Sequence, residues 1–405
     1  MVCKKCRLLE VCMANLDLLE NSIPVAPLKL AALPGSMEMA KKVDSYLVQF
    51  RKELAERRNG VSFSGYSEDS FLIDCECPRF GSGEAKGILK QSVRGVDLFI
   101  LADVLNYSLT YTVCGYENHM SPDNHFQDLK RIISAATGKA HRINVIMPFL
   151  YEGRQHRRTK RESLDCALAL KELSDMGVSN IITFDAHDPR VQNSIPLNGF
   201  DNFFPTYQFL KALIKSVPDL RVDNDHLMII SPDEGAMSRA VYFSNILGVD
   251  MGMFYKRRDY STIVNGKNPI VAHEFLGDSV EGKDVVVIDD MISSGGSMLD
   301  TARQLKEMNA RRVFICTTFG LFTDGMAAFD EAYEKGWFDK VITTNLTYQI
   351  PELLSRPYYI EADMSKFLAS IIDFMNHDVS MSNVLTPTEK IRTILEKYNK
   401  RESYL

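Results

Sequence analysis

Positive charge is in short supply in this chain: 47 lysines and arginines against 53 aspartates and glutamates leave a net charge of −6 over 405 residues. That is the wrong sign for a protein whose main partner is a nucleic-acid backbone, so any phosphate it binds is small and locally gripped. Cysteine is scarce as well, and eight in 405 residues cannot staple a disulfide scaffold. No stretch reaches the roughly 18–20 continuous apolar residues of a membrane span, and the N-terminus lacks a basic-then-apolar leader pattern. A cytoplasmic protein with no membrane partner is therefore expected. Hydrophobic residues at 45% and charged residues at 25% lie near globular averages, which excludes a disordered or fibrous chain. Such a length suits two or three folded units.

Three of the cysteines fall early, as Cys3, Cys6 and Cys12. Cys3 and Cys6 have the spacing of half a zinc or iron–sulfur site, yet no second such pair or histidine pair follows nearby. A bound metal and three reduced surface thiols both stay open. The segment ends in a link punctuated by Pro24 and Pro27, and a different rhythm begins at Leu28. An apolar run, Pro34-Gly35-Ser36 and a helical stretch from Met37 to Leu54 read as strand, turn and helix. Residues 59–84 look more hairpin-like than helical. Short β-rich apolar runs then recur at 96–102, 143–149, 181–184, 227–230, 285–288 and 313–318, mostly separated by helical patterns such as 164–176, 236–247 and 298–308. Alternation of this kind predicts parallel sheets covered on both faces by helices, an α/β class in which ligands bind beyond the carboxyl ends of the strands. At the C-terminus, Thr386-Pro387-Thr388-Glu389 opens an amphipathic packing helix with no chemistry assigned to it.

Four of the loops after those runs are unusual. A buried-type strand ends at Asp289-Asp290, and Ser293-Ser294-Gly295-Gly296-Ser297 opens the next helix. The glycines let backbone N–H groups converge on a phosphate, the helix N-terminus favours the anion, and three hydroxyls add donors without bulk. Two carboxylates would repel that phosphate, so they are expected to face its sugar and accept hydrogen bonds from vicinal hydroxyls. The loop after 143–149 carries Arg154, Gln155, His156, Arg157 and Arg158, a guanidinium cluster suited to polyphosphate or, taken alone, a solvated surface. His187 and Asp233, each just past a strand, could share one Mg2+ on the β- and γ-phosphates of ATP. Finally, Lys256-Arg257-Arg258-Asp259 stands at the root of about two dozen mostly polar residues, a lid over developing negative charge or a plain surface loop.

The Asp289–Ser297 stretch resembles the phosphoribosyl-pyrophosphate loop of type I phosphoribosyltransferases and of ribose-phosphate pyrophosphokinases, with Ser294 and Ser297 where threonines are usual. The other loops select the pyrophosphokinase branch. Arg154–Arg158 is similar to that family's ATP loop, with His156 in place of aspartate, and His187 and Asp233 match its metal-binding pair. After His187, Asp188-Pro189-Arg190 replaces a small residue and a glutamine. Arg79–Glu84 resembles the hairpin whose aromatic residue stacks on adenine in a neighbouring subunit, with Phe80 and Glu84 fitting, and Ser92-Val93-Arg94-Gly95 matches the segment after it. The resemblance spans residues 28–350.

It implies two tandem phosphoribosyltransferase-like domains, over 28–179 and 180–360, after an extension over 1–27 and before a helical segment over 361–405. It further implies Mg2+-dependent transfer of pyrophosphate from ATP to the C1 hydroxyl of ribose 5-phosphate, with Lys256 and Arg258 as catalytic residues. Arg154, Gln155, Arg157, Phe80 and Glu84 would bind ATP, and Asp289, Asp290 and Ser293–Ser297 the ribose 5-phosphate. A homo-oligomer built from dimers, up to a hexamer, is expected. The competing readings are a non-catalytic regulatory homologue, a pyrophosphokinase acting on a larger ribose phosphate such as ADP-ribose, and a plain phosphoribosyltransferase.

Overall fold

The computed structural model describes residues 19–58, 63, 65–258, 270–382 and 388–399. The cysteine cluster at 3–12 lies outside them. The chain divides into two compact units, one built mainly from residues before Phe204 and the other mainly from residues after it.

In the first unit β1 (Leu28–Ala32) leads into α1 (Met37–Arg57). Next come β2 (Leu72–Ile73), a small hairpin of β3 (Cys75–Glu76) and β4 (Ile88–Leu89), and β5 (Asp97–Leu101). A separate two-stranded ribbon, β6 (Thr110–Val113) with β7 (Tyr116–His119), precedes α2 (Pro122–Ala136), whose first turn is capped by Ser121 Oγ accepting from the Asn124 N–H. Then follow β8 (Arg142–Ile146), α3 (Asp165–Asp175), β9 (Asn180–Phe184) and β10 (Gly199–Phe203). The main sheet runs β10-β9-β8-β5-β1-β2, and every pairing is parallel. β5 is buried along its whole length, the signature of a strand covered on both faces.

The second unit holds α4 (Thr206–Ser216), β11 (Leu227–Ser231), α5 (Met237–Leu247), β12 (Asp250–Arg258), β13 (Ile270–Leu276), β14 (Asp284–Ile292), α6 (Gly296–Glu307), β15 (Arg312–Gly320), α7 (Ala327–Glu334), β16 (Lys340–Thr344), α8 (Pro351–Leu354) and β17 (Tyr359–Ala362). Its sheet runs β13-β12-β11-β14-β15-β16-β17, parallel except for the β12–β13 pair. Both sheets thus share one plan. The first strand, β1 or β11, has the next main-sheet strand on one side and four later strands in sequence order on the other.

The likeness extends to side chains. Asp97 and Arg142 are register partners opening β5 and β8, and Asp284 and Arg312 are register partners opening β14 and β15. Each arginine forks onto its aspartate through Nε and Nη2. Two residues before each aspartate stands a glycine at φ near +71°, Gly95 and Gly282.

The domain limits read from sequence move in two places. β9 and β10 continue the first sheet, so the change of unit falls between Phe204 and Pro205 and not after residue 179. The expected C-terminal segment is divided. α9 (Ser365–Asn376) belongs to the first unit, where Arg51 of α1 reaches Asp373 and Asn376. α10 (Thr388–Asn399) belongs to the second, burying Ile391 and Ile394 and donating the Tyr398 hydroxyl to carbonyls at 217, 218 and 220.

Candidate active site

In the second unit the strand order reverses between β11 and β14, and the loops after these strands open into the crevice that such a reversal leaves. β14 runs further than its apolar run suggests, pairing Met291 and Ile292 with Phe319 and Gly320. Asp289 and Asp290 therefore lie within the strand, with their carboxyl groups close enough to interact. The Asp290 N–H donates to Asp289 Oδ1 at 2.8 Å. Asp290 is buried with Arg239 Nη2 3.7 Å from its carboxylate. Burial first, then the Asp290 charge and more weakly Asp233, push the Asp289 carboxyl well above the usual carboxylate range. Three carboxylates converge here, and the cation beside them, Arg239, was missed in the sequence. Its signal was its place in the first turn of the helix that follows the Asp233 loop.

Beyond β14 the loop is pinned on one side, with the Leu321 N–H donating to Ile292 O at 2.9 Å and the Thr323 N–H to Ser293 O at 3.0 Å. Gly295 takes φ +87°, and a Cβ there would fall 2.3 Å from Cε2 of Phe329, so no side chain fits. Ser294, Gly296 and Ser297 are exposed, and the twelve-residue α6 begins at Gly296. Backbone N–H groups at the start of this helix, with serine hydroxyls beside them, are donors of the kind a phosphate-sized anion accepts. Across the reversal, Asp233 Oδ1 accepts from the N–H groups of Gly235 and Ala236 at 2.9 and 3.3 Å, so the carboxylate closes its own loop.

Lys256 and Arg258 were expected in a loop. Their backbone is the end of β12, paired antiparallel with β13 and bulged between Arg257 and Arg258. A strand, β13, occupies residues 270–276 of the supposed lid. Residues 259–269 and the side chains of 256–258 lie outside the described part.

In the first unit, the loop after β8 turns at Glu152, φ +55°, and the Gln155 N–H donates back to Glu152 O at 2.8 Å. Arg154 and Arg157 are exposed, while Gln155 Nε2 is spent on Ser163 O at 2.9 Å. His156 Nδ1 stands 3.0 Å from Asp188 Oδ2, and its ring centroid lies 5.5 Å from that of His187. His187 is exposed just past β9. It and Asp233 belong to different units, each described by itself.

Phe80 and Glu84 close a tight turn between β3 and β4. The Phe80 N–H donates to Glu84 O at 2.7 Å, Ser82 Oγ lies 3.0 Å from Glu84 Oε2, and the Phe80 ring is 54% exposed, which rules out a core role. The ribbon braces this turn: the Cys114 N–H donates to Gly81 O at 3.0 Å, and Arg79 lies over the Tyr111 ring at 5.0 Å.

Asp233 keeps one carboxylate oxygen outside its loop closure, a hard donor of the kind Mg2+ prefers, whereas the exposed His187 imidazole is a nitrogen ligand that Mg2+ takes less readily. Among the described residues, the group of three ligand-type side chains close enough to hold one ion is instead Asp223, Asp225 and His226. It precedes β11, at the end of that strand away from the loops, and its members serve a turn in which Asp223 O accepts from the N–H groups of His226 and Leu227. Among the described residues no helix is long and apolar enough to cross a membrane.

Comparison with known proteins bears on both units. Residues 28–177 match the family described as the N-terminal domain of ribose phosphate pyrophosphokinase, and residues 206–345 the phosphoribosyl transferase domain. A ribose-phosphate pyrophosphokinase of Vibrio parahaemolyticus is 28% identical over 77% of this chain and 90% of its own length. One from Thermosipho africanus is 31% identical over 67% of this chain and 78% of its own. The crystal structure of phosphoribosylpyrophosphate synthetase from Mycobacterium smegmatis superposes with a TM-score of 0.66 at 23% identity, covering 87% of this chain and 99% of that one, which establishes the shared fold.

Proposed function

The chain belongs to the ribose-phosphate pyrophosphokinase family, and from that premise we propose that it transfers pyrophosphate from Mg-ATP to the C1 hydroxyl of ribose 5-phosphate, giving phosphoribosyl pyrophosphate and AMP for nucleotide biosynthesis. The observation that carries this reading is the cradle at Ser293–Ser297, where Gly295, excluded from bearing a side chain, turns the backbone into α6 beside the Asp289–Asp290 carboxylates. The 5-phosphate sits on that cradle. The carboxylates accept from the sugar hydroxyls, fixing the C1 hydroxyl for attack on the β-phosphorus while AMP leaves.

Transfer of this kind asks for positioning and charge neutralisation more than for covalent chemistry. Arg154 and Arg157 take the polyphosphate, with Gln155 shaping their loop, and Phe80 with Glu84 takes the adenine. Lys256 and Arg258, at the end of β12, meet the charge that develops on the transferring group. His187 and Asp233 are the residues that would hold Mg2+, which when bound would neutralise charge on the phosphates. The same family pattern supports a cytoplasmic homo-oligomer built from dimers, up to a hexamer, in which Phe80 serves the adenine of a neighbouring copy.

The test is to incubate purified protein with Mg-ATP and ribose 5-phosphate and to follow AMP. Equal amounts of AMP and phosphoribosyl pyrophosphate are expected. AMP with ADP-ribose alone would change the acceptor, and no AMP with either sugar would overturn catalysis in favour of a regulatory subunit.

A further inference from the structure

Beyond Tyr151, whose hydroxyl donates to Asp123 Oδ1 at 2.6 Å, the loop after β8 is held mostly by bonds within itself and to Ser163. The cations at 154 and 157 therefore project from backbone with little fixing it to the fold. His156 supplies a fixing point. Its Nδ1 lies 3.0 Å from Asp188 Oδ2, across to the loop after β9.

Asp188 is a firm post for such a contact. It is buried, caps a short 3-10 turn, and accepts from Arg190 through the backbone N–H, Nε and Nη2 at 2.9, 2.9 and 2.5 Å. Arg190 first, and His156 after it, hold its carboxyl below the usual range. An aspartate in place of His156 would set two carboxylates about 3 Å apart.

We propose that His156 is a positioning residue. Tied to Asp188, it fastens the Arg154–Arg157 loop to the loop bearing His187, so that guanidiniums and imidazole meet a nucleotide polyphosphate as one preset surface. This rests on the reading that the Arg154–Arg157 loop takes ATP, and the tether can be measured apart from catalysis.

The full chain and its variants are titrated with Mg-ATP, without acceptor, by calorimetry. His156→Ala and Asp188→Ala should each weaken ATP about tenfold, and the double variant should be no weaker than either, because one contact is lost only once. His156→Asn, which keeps a donor at the Nδ1 position, should recover most of the affinity, and His156→Asp should be worse than alanine. In turnover assays KM for ATP should rise while kcat and KM for ribose 5-phosphate stay within about twofold. Unchanged ATP affinity in His156→Ala, or fully additive losses, would overturn the tether. Should the parent bind ATP with this pattern yet form no AMP, the function reading fails and the tether stands. Should it bind no ATP, amide exchange over 153–158 decides: faster exchange in His156→Ala upholds the tether, and unchanged exchange sinks it.

Discussion

Arg142 and Asp97 meet as a forked ion pair, with Nε to Oδ1 at 2.9 Å and Nη2 to Oδ2 at 2.8 Å, at the first register position shared by β8 and β5. Arg312 and Asp284 repeat it in the second unit at 2.9 and 2.7 Å. Both carboxylates are essentially inaccessible to water. Removing the cation leaves a buried charge with its strongest partner gone, which costs about 3–5 kcal/mol. Arg142→Met and Arg312→Met should each lower the unfolding free energy measured by urea denaturation by that order. Arg312→Met combined with Asp284→Leu should be less damaging than Arg312→Met alone.

Gly295 and its neighbour Gly296 make a paired test of the phosphate cradle. Alanine at 295 meets both the Phe329 ring and a φ of +87°, whereas a Cβ at 296 meets nothing within 4 Å. Gly295→Ala should cost roughly 2–3 kcal/mol of stability and at least about tenfold in ribose 5-phosphate affinity. Gly296→Ala should leave stability within about 0.5 kcal/mol of the parent. Thermal unfolding and a calorimetric titration of ribose 5-phosphate check both.

The Asp289 carboxyl, raised by burial and by Asp290, binds its proton more tightly in the folded chain than in the unfolded one. Its ionised form is the penalised one, so its contribution to stability falls as pH rises from the ordinary carboxylate range through the folded value. Asp289→Asn keeps the oxygen that accepts the Asp290 N–H and removes this penalty. The variant should be more stable than the parent at pH 8, by about 1 kcal/mol, while binding ribose 5-phosphate more weakly. Equal melting temperatures at pH 8 would contradict it.

Away from the site, His377 is buried beside Arg51 and Tyr66, with Nε2 2.6 Å from the tyrosine hydroxyl and 3.2 Å from Arg51 Nη1. Burial first, and then the Arg51 charge, lower its pKa from 6.5 to about 4. Between those values the unfolded chain takes up a proton that the folded chain refuses. Stability should therefore decline as pH falls from about 6.5 to about 4, by roughly 3 kcal/mol at the end. His377→Asn should flatten this part of a denaturation-against-pH series.

For the proposed catalytic lysine, Lys256→Ala should lower kcat by about a hundredfold or more and leave ribose 5-phosphate affinity within about threefold. Steady-state AMP release and a binding titration separate the two, and an unchanged kcat would remove Lys256 from the transfer step.

Much of the framework was readable because its strands are short apolar runs of residues that favour a pleated, doubly covered surface, such as DLFIL at 97–101 and the apolar start of β14. The glycine–serine loop was readable because few other compositions let backbone N–H groups converge. β6 and β7 were not, since TYTV and YENH are exposed or half-exposed and leave no periodic core signature. Nor was the strand character of Lys256–Arg258, a run of cations that looks like a loop until its antiparallel partner β13 is known. The repeated plan left one faint trace: Gly95-Val96-Asp97 and Gly282-Lys283-Asp284 each open an apolar run.

The sequence by itself determined the α/β class, the family, the order of the loops and the residue types offered to phosphate and sugar, because these depend on local periodicity and on side-chain chemistry. Tertiary structure alone decided where one unit ends, which unit each C-terminal helix joins, that Arg239 stands beside Asp290, and that His156 meets Asp188. Those are pairings between residues distant along the chain. Short apolar β-rich runs recur on both sides of residue 204, so no local signal marks the boundary there, and only the hydrogen-bond partners of β9 and β10 place it.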